Sequence, residues 1–285
     1  MKISVLTIIL VPLSLLIGVA ASMIGFTAWL IIVPILFVIC GFNLYLTIFS
    51  SLLVDCGNAF VMTLIALKNH QIDPVRGALL SIFALIWIVA GIALGTTFIP
   101  DHENLFRGSS GFVAILIGVV FVIKGLKQKK ETLDHGNSDE SLSGTDRPGM
   151  KNRRIRQILV YPGVALMAFQ VGLFGIGGGM GYVLFLMLCL SFPILKATGT
   201  AMMMTFFSTL AAACGIYFQI PDGLIVPKTY SLVLMIAGLS MLGTYIGAKV
   251  TYSLTEQKVR LLIGAIVILA GLIATAQKYV IQHLL

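Results

Sequence analysis

The amino-acid sequence predicts an all-α polytopic membrane protein with two internal repeats, and three observations carry that prediction. Hydrophobic residues make up 58% of the 285 residues and charged residues 11%, with a mean hydropathy of +1.03. Soluble domains carry about 25% charged residues, so a water-soluble globule is excluded. Glycines recur at nearly one spacing in both halves: Gly25 matches Gly179 at 154, and Gly91 matches Gly243 at 152.

A polar segment, residues 126–156, separates the two repeats. It begins KQKKE, continues through a stretch rich in Gly, Ser and Asp, and ends KNRRIR. Its centre cannot bury enough apolar surface to fold, so it is predicted to be a flexible linker. Lys and Arg beside a membrane span mark the cytoplasmic side, and this position explains the basic runs without a nucleic-acid partner. The predicted domains are therefore a first transmembrane repeat (1–125), a cytoplasmic linker (126–156) and a second transmembrane repeat (157–285).

Each repeat begins with an apolar stretch of 38 residues, too long for one membrane helix. A single helix of that length would measure about 57 Å, against a hydrocarbon core of about 30 Å. Both stretches carry glycines midway, so each is predicted to be a hairpin of two short helices that enters the membrane and returns. Three spans follow each hairpin. The predicted hairpins are 3–40 and 158–195, and the predicted spans are about 44–67, 77–98, 108–125, 198–219, 227–249 and 259–280.

This hairpin arrangement predicts two five-helix units of opposite orientation in the cytoplasmic membrane of the cell. With the linker inside, six Lys/Arg residues of the short loops and termini lie inside and four outside, a modest agreement with the charge rule. The N-terminal stretch imitates a signal peptide. It has an internal counterpart at 158–175, so it is interpreted as a retained element.

The glycine run of the second hairpin is the strongest candidate for a binding site. An unwound glycine turn survives in a bilayer only where protein buries it or where it lines a wet cavity. A turn that leads into a helix also exposes N–H groups at the positive end of the helix dipole, which favours anions. The predicted anion contacts are Gly175, Gly177, Gly178 and Gly179. The alternative is close helix packing through small residues, which we favour for the pairs Gly91/Gly95 and Gly243/Gly247.

Polar residues on the spans after the hairpins complete the candidate site. Thr198, Gly199 and Thr200 open one span, where they either contact substrate or form an ordinary N-cap. The equivalent span of the first half carries Ser50, Ser51, Asp55 and Asn58. A carboxylate in an apolar span is expensive and marks a functional candidate. Asp55 is therefore predicted to couple protons to transport. The alternative is a buried carboxylate, neutral or hydrogen-bonded, that serves packing, and Asn58 at i+3 could be its partner. Cysteines and histidines do not cluster, so no metal, cofactor or membrane-enzyme site is predicted.

Taken together, these motifs resemble the sulfite exporter TauE/SafE family. The second half matches in Phe174-Gly-Ile-Gly-Gly-Gly179, Lys196-Ala-Thr-Gly-Thr200 and Gly243-Thr-Tyr-Ile-Gly247. The first half matches in His70-Gln-Ile-Asp73-Pro-Val-Arg76 and Gly91-Ile-Ala-Leu-Gly95 but departs at its hairpin, where Ser22-Met-Ile-Gly25-Phe26 replaces the glycine run. The resemblance implies a membrane transporter of small sulfur-containing or carboxylic anions, such as sulfite, sulfoacetate and related sulfonates.

The expected function is a secondary transporter that exports such an anion. A membrane potential of about 100 mV, negative inside, favours the exit of an uncompensated anion by about 2.3 kcal/mol per charge. A passive anion channel or a carrier for a small carboxylate remains the alternative. A non-transporting assembly subunit would leave the glycine run and Asp55 without a role.

Overall fold

The computed structural model describes residues 11–12, 14–19, 21–22, 27–29, 32, 36, 43–98, 119, 150–220 and 227–253. Within these ranges no strand is found, and residues 14–19 and 21–22 are helical. The helices of twelve or more residues are α1 (Leu44–Lys68), α2 (Pro74–Phe98), α3 (Met150–Phe174), α4 (Gly179–Leu190), α5 (Ile194–Tyr217) and α6 (Pro227–Ser253).

The predicted all-α membrane architecture is confirmed in this part of the chain. Four of the described helices are long and apolar enough to cross a membrane: Leu44–Lys68, Pro74–Gly95, Ile194–Tyr217 and Ser231–Val250. They correspond to the predicted spans 44–67, 77–98, 198–219 and 227–249. The predicted spans 108–125 and 259–280, and the first-half turn at Gly25, lie outside the described residues.

Two helix starts differ from the sequence expectation. Helix α5 begins at Ile194, four residues before the predicted start, because Pro193 supplies its N-cap and proline cannot continue a preceding helix. Helix α3 begins at Met150, within the predicted linker. Lys, Arg, Met and Ile in KNRRIR and its flank are adequate helix formers, so the helix extends beyond the apolar part of the hairpin.

A glycine-broken hairpin is present in the second half. Helix α3 ends at Phe174 and α4 begins at Gly179, with four non-helical residues between them. Gly163 lies against Phe185 and Gly181 against Met167, so the two helices run antiparallel. The apolar parts, Ile158–Phe174 and Gly179–Leu190, are about 25 Å and 18 Å long. Both are shorter than the hydrocarbon core, so neither apolar part is long enough to cross it.

Helices α1 and α5 form the centre of the bundle and run antiparallel. The rings of Phe60 and Phe206 lie 5.5 Å apart near one end, and those of Phe49 and Tyr217 lie 5.8 Å apart near the other. These two helices occupy the same position in their respective repeats. Equivalent helices of the two halves therefore cross the bundle in opposite directions.

Each half also packs on the hairpin of the other half in an equivalent way. A Cβ at Gly172 of α3 would overlap the carbonyl oxygen of Ile88 on α2, and a Cβ at Gly18 would overlap that of Ser240 on α6. Gly172 and Ile88 are the repeat counterparts of Gly18 and Ser240. A Cβ at Gly243 would likewise overlap the carbonyl oxygen of Leu15. A Cβ at Gly91, its counterpart on α2, would overlap that of Phe169. Close helix packing, the interpretation favoured for the Gly91 and Gly243 pairs, is confirmed.

One end of the bundle is held together by a small charged cluster. The carboxylate of Asp73, in the α1–α2 loop, lies 3.7 Å from Arg76 Nε and 3.8 Å from Lys196 Nζ. Both cations also lie over the ring of Phe192, at 5.5 Å and 5.1 Å from its centroid. The end of α1 and the starts of α2 and α5 therefore share one face of the membrane, as the hairpin topology requires.

The glycine crossing between α2 and α3 predicts a selective loss of stability. Gly172→Ala would place a methyl group on the Ile88 carbonyl, and overpacking of this kind costs about 1–3 kcal/mol. Gly238→Ala is the matched control, because a Cβ at Gly238 meets nothing within 4 Å and alanine favours a helix. Thermal unfolding of the purified variants in detergent should show a lower midpoint for Gly172→Ala only. Equal midpoints would contradict the close crossing.

Candidate functional site

A buried carboxylate is the only charged group in a long apolar part of the chain. Asp55 lies on α1 with 3% of its surface exposed, and no other charged residue occurs between Lys2 and Lys68. Its Oδ1 accepts a hydrogen bond from the N–H of Ala28 at 2.6 Å, and its Oδ2 accepts one from the hydroxyl of Thr27 at 2.5 Å. Because each carboxylate oxygen has a donor, the structure holds Asp55 without a cation.

The hydroxyl of Thr27 links this carboxylate to the second-half glycine turn. Its Oγ1 donates to Asp55 and accepts the N–H of Gly177 at 3.1 Å and that of Trp29 at 3.2 Å. A hydroxyl has one donor and two acceptor sites, so Thr27 is fully satisfied. Side chains from the first hairpin and α1 and the backbone of the second hairpin thus meet at one point.

A small cavity of about 10 Å³ lies beside this junction. That is room for about one water molecule, so a sulfite-sized anion does not fit without movement. The polar wall of the cavity is buried, since Asn58, Asp55 and Thr205 are only 2%, 3% and 4% exposed. The lining residues are Ala21, Thr27, Asp55, Asn58, Ala59, Gly177, Gly179, Met202 and Thr205.

Two features of the cavity wall offer hydrogen bonds to a polar group. The start of α4 lies at its wall, where Gly178 provides no side-chain cap, and the first N–H groups of a helix have no intrahelical acceptor. The side chain of Asn58 also lines it, and neither its Nδ2 nor its Oδ1 has a hydrogen-bond partner among the described residues. An unpaired buried amide costs about 1–3 kcal/mol, so a guest that accepts its hydrogen bond is favoured.

Asn58 is not the hydrogen-bond partner of Asp55, although Asp55 is buried and hydrogen-bonded as the packing interpretation expects. Asp55 bonds instead to Thr27 and Ala28, which lie 28 and 27 residues earlier in the chain. Asn58 is left facing the cavity. Residues three apart on a helix can meet, but the two strong donors on the hairpin occupy the carboxylate.

The glycines of the turn divide into two groups. Gly177 and Gly179 line the cavity, and a Cβ at Gly177 would overlap Asp55 Oδ2. Gly175 has a φ of +66° and ends α3 by donating its N–H to the carbonyl of Val171 at 2.9 Å. Gly178 lies against the ring of Tyr182, 2.8 Å from where its Cβ would be. The latter two shape the turn, and neither borders the cavity.

The hydroxyl groups of Ser50 and Ser51 do not line the cavity. Ser50 Oγ donates to the carbonyl of Leu46 at 2.6 Å, the local bond that serine commonly makes in helices. Ser51 Oγ is buried and without a partner among the described residues.

Thr198, Gly199 and Thr200 also lie away from the cavity lining, and they are not an N-cap. The hydroxyls of Thr198 and Thr200 donate to the carbonyls of Ile194 and Lys196, each at 2.8 Å. Thr200 Oγ1 also accepts the N–H of Asp73 at 3.0 Å. A Cβ at Gly199 would overlap the carbonyl oxygen of residue 71. The three residues fasten the α1–α2 loop to the start of α5.

The second half carries a neutral counterpart of the Asp55 contact. Ser208 on α5 is the repeat equivalent of Asp55 at a spacing of 153, and Tyr182 is that of Ala28 at 154. The Tyr182 hydroxyl and Ser208 Oγ lie 3.1 Å apart, fully buried. Both halves therefore join the first central span to the segment after the hairpin turn. A carboxylate makes that contact in one half and a hydroxyl pair in the other.

Sequence reasoning missed Thr27, Tyr182, Met202 and the cavity position of Thr205. The repeat spacing is the signal that could have found Tyr182 and Ser208, since it pairs them with Ala28 and Asp55. Thr27 carries no sequence signal, because a single threonine after an apolar run is common. In the described part of the chain, no group of three His, Cys, Asp or Glu side chains is arranged to hold a metal ion.

Comparison with known proteins gives one result that covers nearly the whole chain. Residues 10–273 match the family described as Sulfite exporter TauE/SafE. Searches of curated proteins and of solved structures returned no match. The matched region includes both repeats and every residue of the cavity. The chain therefore belongs to the sulfite exporter TauE/SafE family.

Proposed function

We propose that the chain is a secondary transporter that exports a small sulfur-containing anion, such as sulfite, sulfoacetate or a related sulfonate, across the cytoplasmic membrane. The observation that carries the proposal is the cavity at the glycine turn, where the unpaired Asn58 amide and the uncapped start of α4 face one space. Amide donors and a helix N-terminus suit an anion with several oxygens. Family membership supports the class of substrate.

A carrier suits this cavity better than the alternative, a passive channel. The space holds about one water molecule and the polar side chains on its wall are buried. A channel needs a continuous polar path, whereas a carrier passes through states in which the site is closed. We assign substrate contact to Gly177, Gly179 and Asn58, and proton coupling to Asp55.

The transport proposal predicts saturable flux and counterflow in proteoliposomes. Vesicles preloaded with unlabelled sulfite should accumulate radiolabelled sulfite transiently above its external concentration. Sulfoacetate, isethionate, taurine, sulfate and small carboxylates, each offered as competitor, would rank the substrates. Linear flux without counterflow would indicate a channel. Absence of flux for every anion of the panel would overturn the proposal.

Replacement of the Asn58 amide should lower anion affinity without lowering the stability of the fold. Asn58→Leu keeps the approximate volume but removes a hydrogen bond worth about 1.5–3 kcal/mol to a charged acceptor, so sulfite affinity should fall roughly tenfold or more. The unfolding midpoint should stay the same or rise, because an unpaired buried amide is removed.

Thr63→Val is the matched control for that variant. Its hydroxyl lies on the same helix and bonds only to the carbonyl of Ala59, so its affinity for sulfite should match that of the wild type. Wild-type affinity in folded Asn58→Leu protein would place the anion elsewhere.

We further propose that the two repeats are inverted five-helix units. The antiparallel course of α1 and α5 and the hairpin of α3 and α4 support this arrangement. It predicts that cysteine at Gln71, in the α1–α2 loop, is labelled from the cytoplasmic side, as is cysteine at Ser141 in the linker. Cysteine at Phe218, which is 84% exposed after α5, should be labelled from outside. Labelling of positions 71 and 218 from the same side would contradict the topology.

A further inference from the structure

We infer that the cavity binds its anion only together with a proton on Asp55, so that one proton moves with each singly charged anion. This inference rests on the proposed transport function and specifies its charge balance. It follows from where the carboxylate lies, from which donors it uses and from the absence of compensating charge in the surrounding sequence.

The carboxylate of Asp55 is part of the cavity wall, so a bound anion would be its direct neighbour. Two like charges about 5 Å apart in a protein interior oppose each other by more than about a hundredfold in a binding constant. The space beside Asp55 holds about one water molecule, so an anion admitted there by movement of the glycine turn would lie directly against the carboxylate.

No Lys, Arg or His is among the cavity-lining residues that the structure describes. On α6, which also packs against α1, Lys249 is exposed and lies over the ring of Tyr245. Asp55 is the only charged residue between Lys2 and Lys68, and no charged residue occurs between Arg156 and Lys196. These two stretches contain both hairpins and α1. An ionised Asp55 plus an anion would therefore place two negative charges among apolar residues, which is strongly unfavourable.

The groups that face Asp55 cannot take the proton in its place. They are the hydroxyl of Thr27, the N–H of Ala28 and the cavity-lining Met202 and Thr205 of α5. None of these side chains titrates near neutral pH. The adjacent titratable group on α1 is the thiol of Cys56, which is neutral when protonated and adds no positive charge.

Protonation also changes the hydrogen bonding in a way that frees a donor. An ionised carboxylate accepts from both Thr27 and Ala28, whereas a protonated one carries an O–H of its own. That O–H becomes available to the anion in the cavity, beside the Asn58 amide. The proton thus removes a repulsive charge and supplies a donor at the same place.

The charge balance fixes the driving force. A proton and a monoanion together carry no net charge, so the membrane potential does not act on the step. Net flux then follows the product of proton and anion concentrations on each side. An outside that is more acidic by one pH unit opposes export tenfold, about 1.4 kcal/mol. Export therefore requires an anion that is more than tenfold concentrated inside for each such unit.

The test uses the purified full-length protein with isethionate, a sulfonate whose charge stays fixed across the neutral range, and with sulfite as a second probe. In weakly buffered solution, at a pH high enough for Asp55 to be ionised in the free protein, binding should take up about one proton per isethionate. Because the bound state holds the proton, affinity should fall tenfold per pH unit once Asp55 is ionised in the free protein. Isethionate flux in proteoliposomes should not respond to an imposed potassium–valinomycin potential.

Asp55→Asn should bind isethionate without proton uptake and without the pH dependence, while Asp73→Asn, a carboxylate in the loop cluster, should keep both. Zero proton uptake by the wild type, flux that follows the imposed potential, or a wild-type pH slope in Asp55→Asn would overturn the inference while leaving anion transport intact. If Asp55→Asn does not fold, the proton count and the potential test on the wild type decide. Failure of both probes to bind would instead remove the proposed function.

Discussion

The hydroxyl of Thr27 is the contact on which the rest of the site depends. A carboxylate in an apolar span is tolerated only when its oxygens are hydrogen-bonded, and Thr27 supplies one of the two donors to Asp55. That hydroxyl is oriented in turn by the N–H of Gly177. A Cβ at position 177 would overlap Asp55 Oδ2. The buried carboxylate therefore requires a glycine at this position of the turn.

The repeated architecture explains how such a contact forms between distant parts of the chain. Each half packs its second span on the hairpin of the other half, at Gly172 and Ile88 in one case and at Gly18 and Ser240 in the other. The two halves differ in the chemistry of this contact, since Asp55 can ionise and its counterpart Ser208 is neutral. A single carboxylate gives the site one proton position.

Sequence reasoning predicted the spans and the second hairpin because both depend on local properties. Apolar length limits what can cross a bilayer, and consecutive glycines break a helix wherever they occur. The site was predicted only in part. Asp55, Asn58, Gly177 and Gly179 were identified because charge or an unwound backbone is costly in a membrane. The partners of Asp55 could not be predicted, since Thr27 becomes its neighbour only after the halves pack.

Thr198 and Thr200 of α5 show that residues typical of a helix start can lie inside the helix. Thr198 and Thr200 suggested a helix start because capping residues favour such positions, but Pro193 moves the start to Ile194. One turn into the helix, their hydroxyls bond to carbonyls of the preceding turn. A spare lone pair on Thr200 then accepts the N–H of Asp73. The motif therefore fixes a loop.

The buried amide of Asn58 is the polar group at the cavity whose hydrogen bonds the described residues do not use. Its donors and acceptor are unused among the described residues, at a cost of about 1–3 kcal/mol, although the cavity beside it is large enough for one water molecule. An anion with several oxygens would pair the amide, but only if the glycine turn moves away from α1 to make room. Binding energy from the amide is thus coupled to opening of the turn, which is the condition for a site that exchanges its cargo between two sides of a membrane.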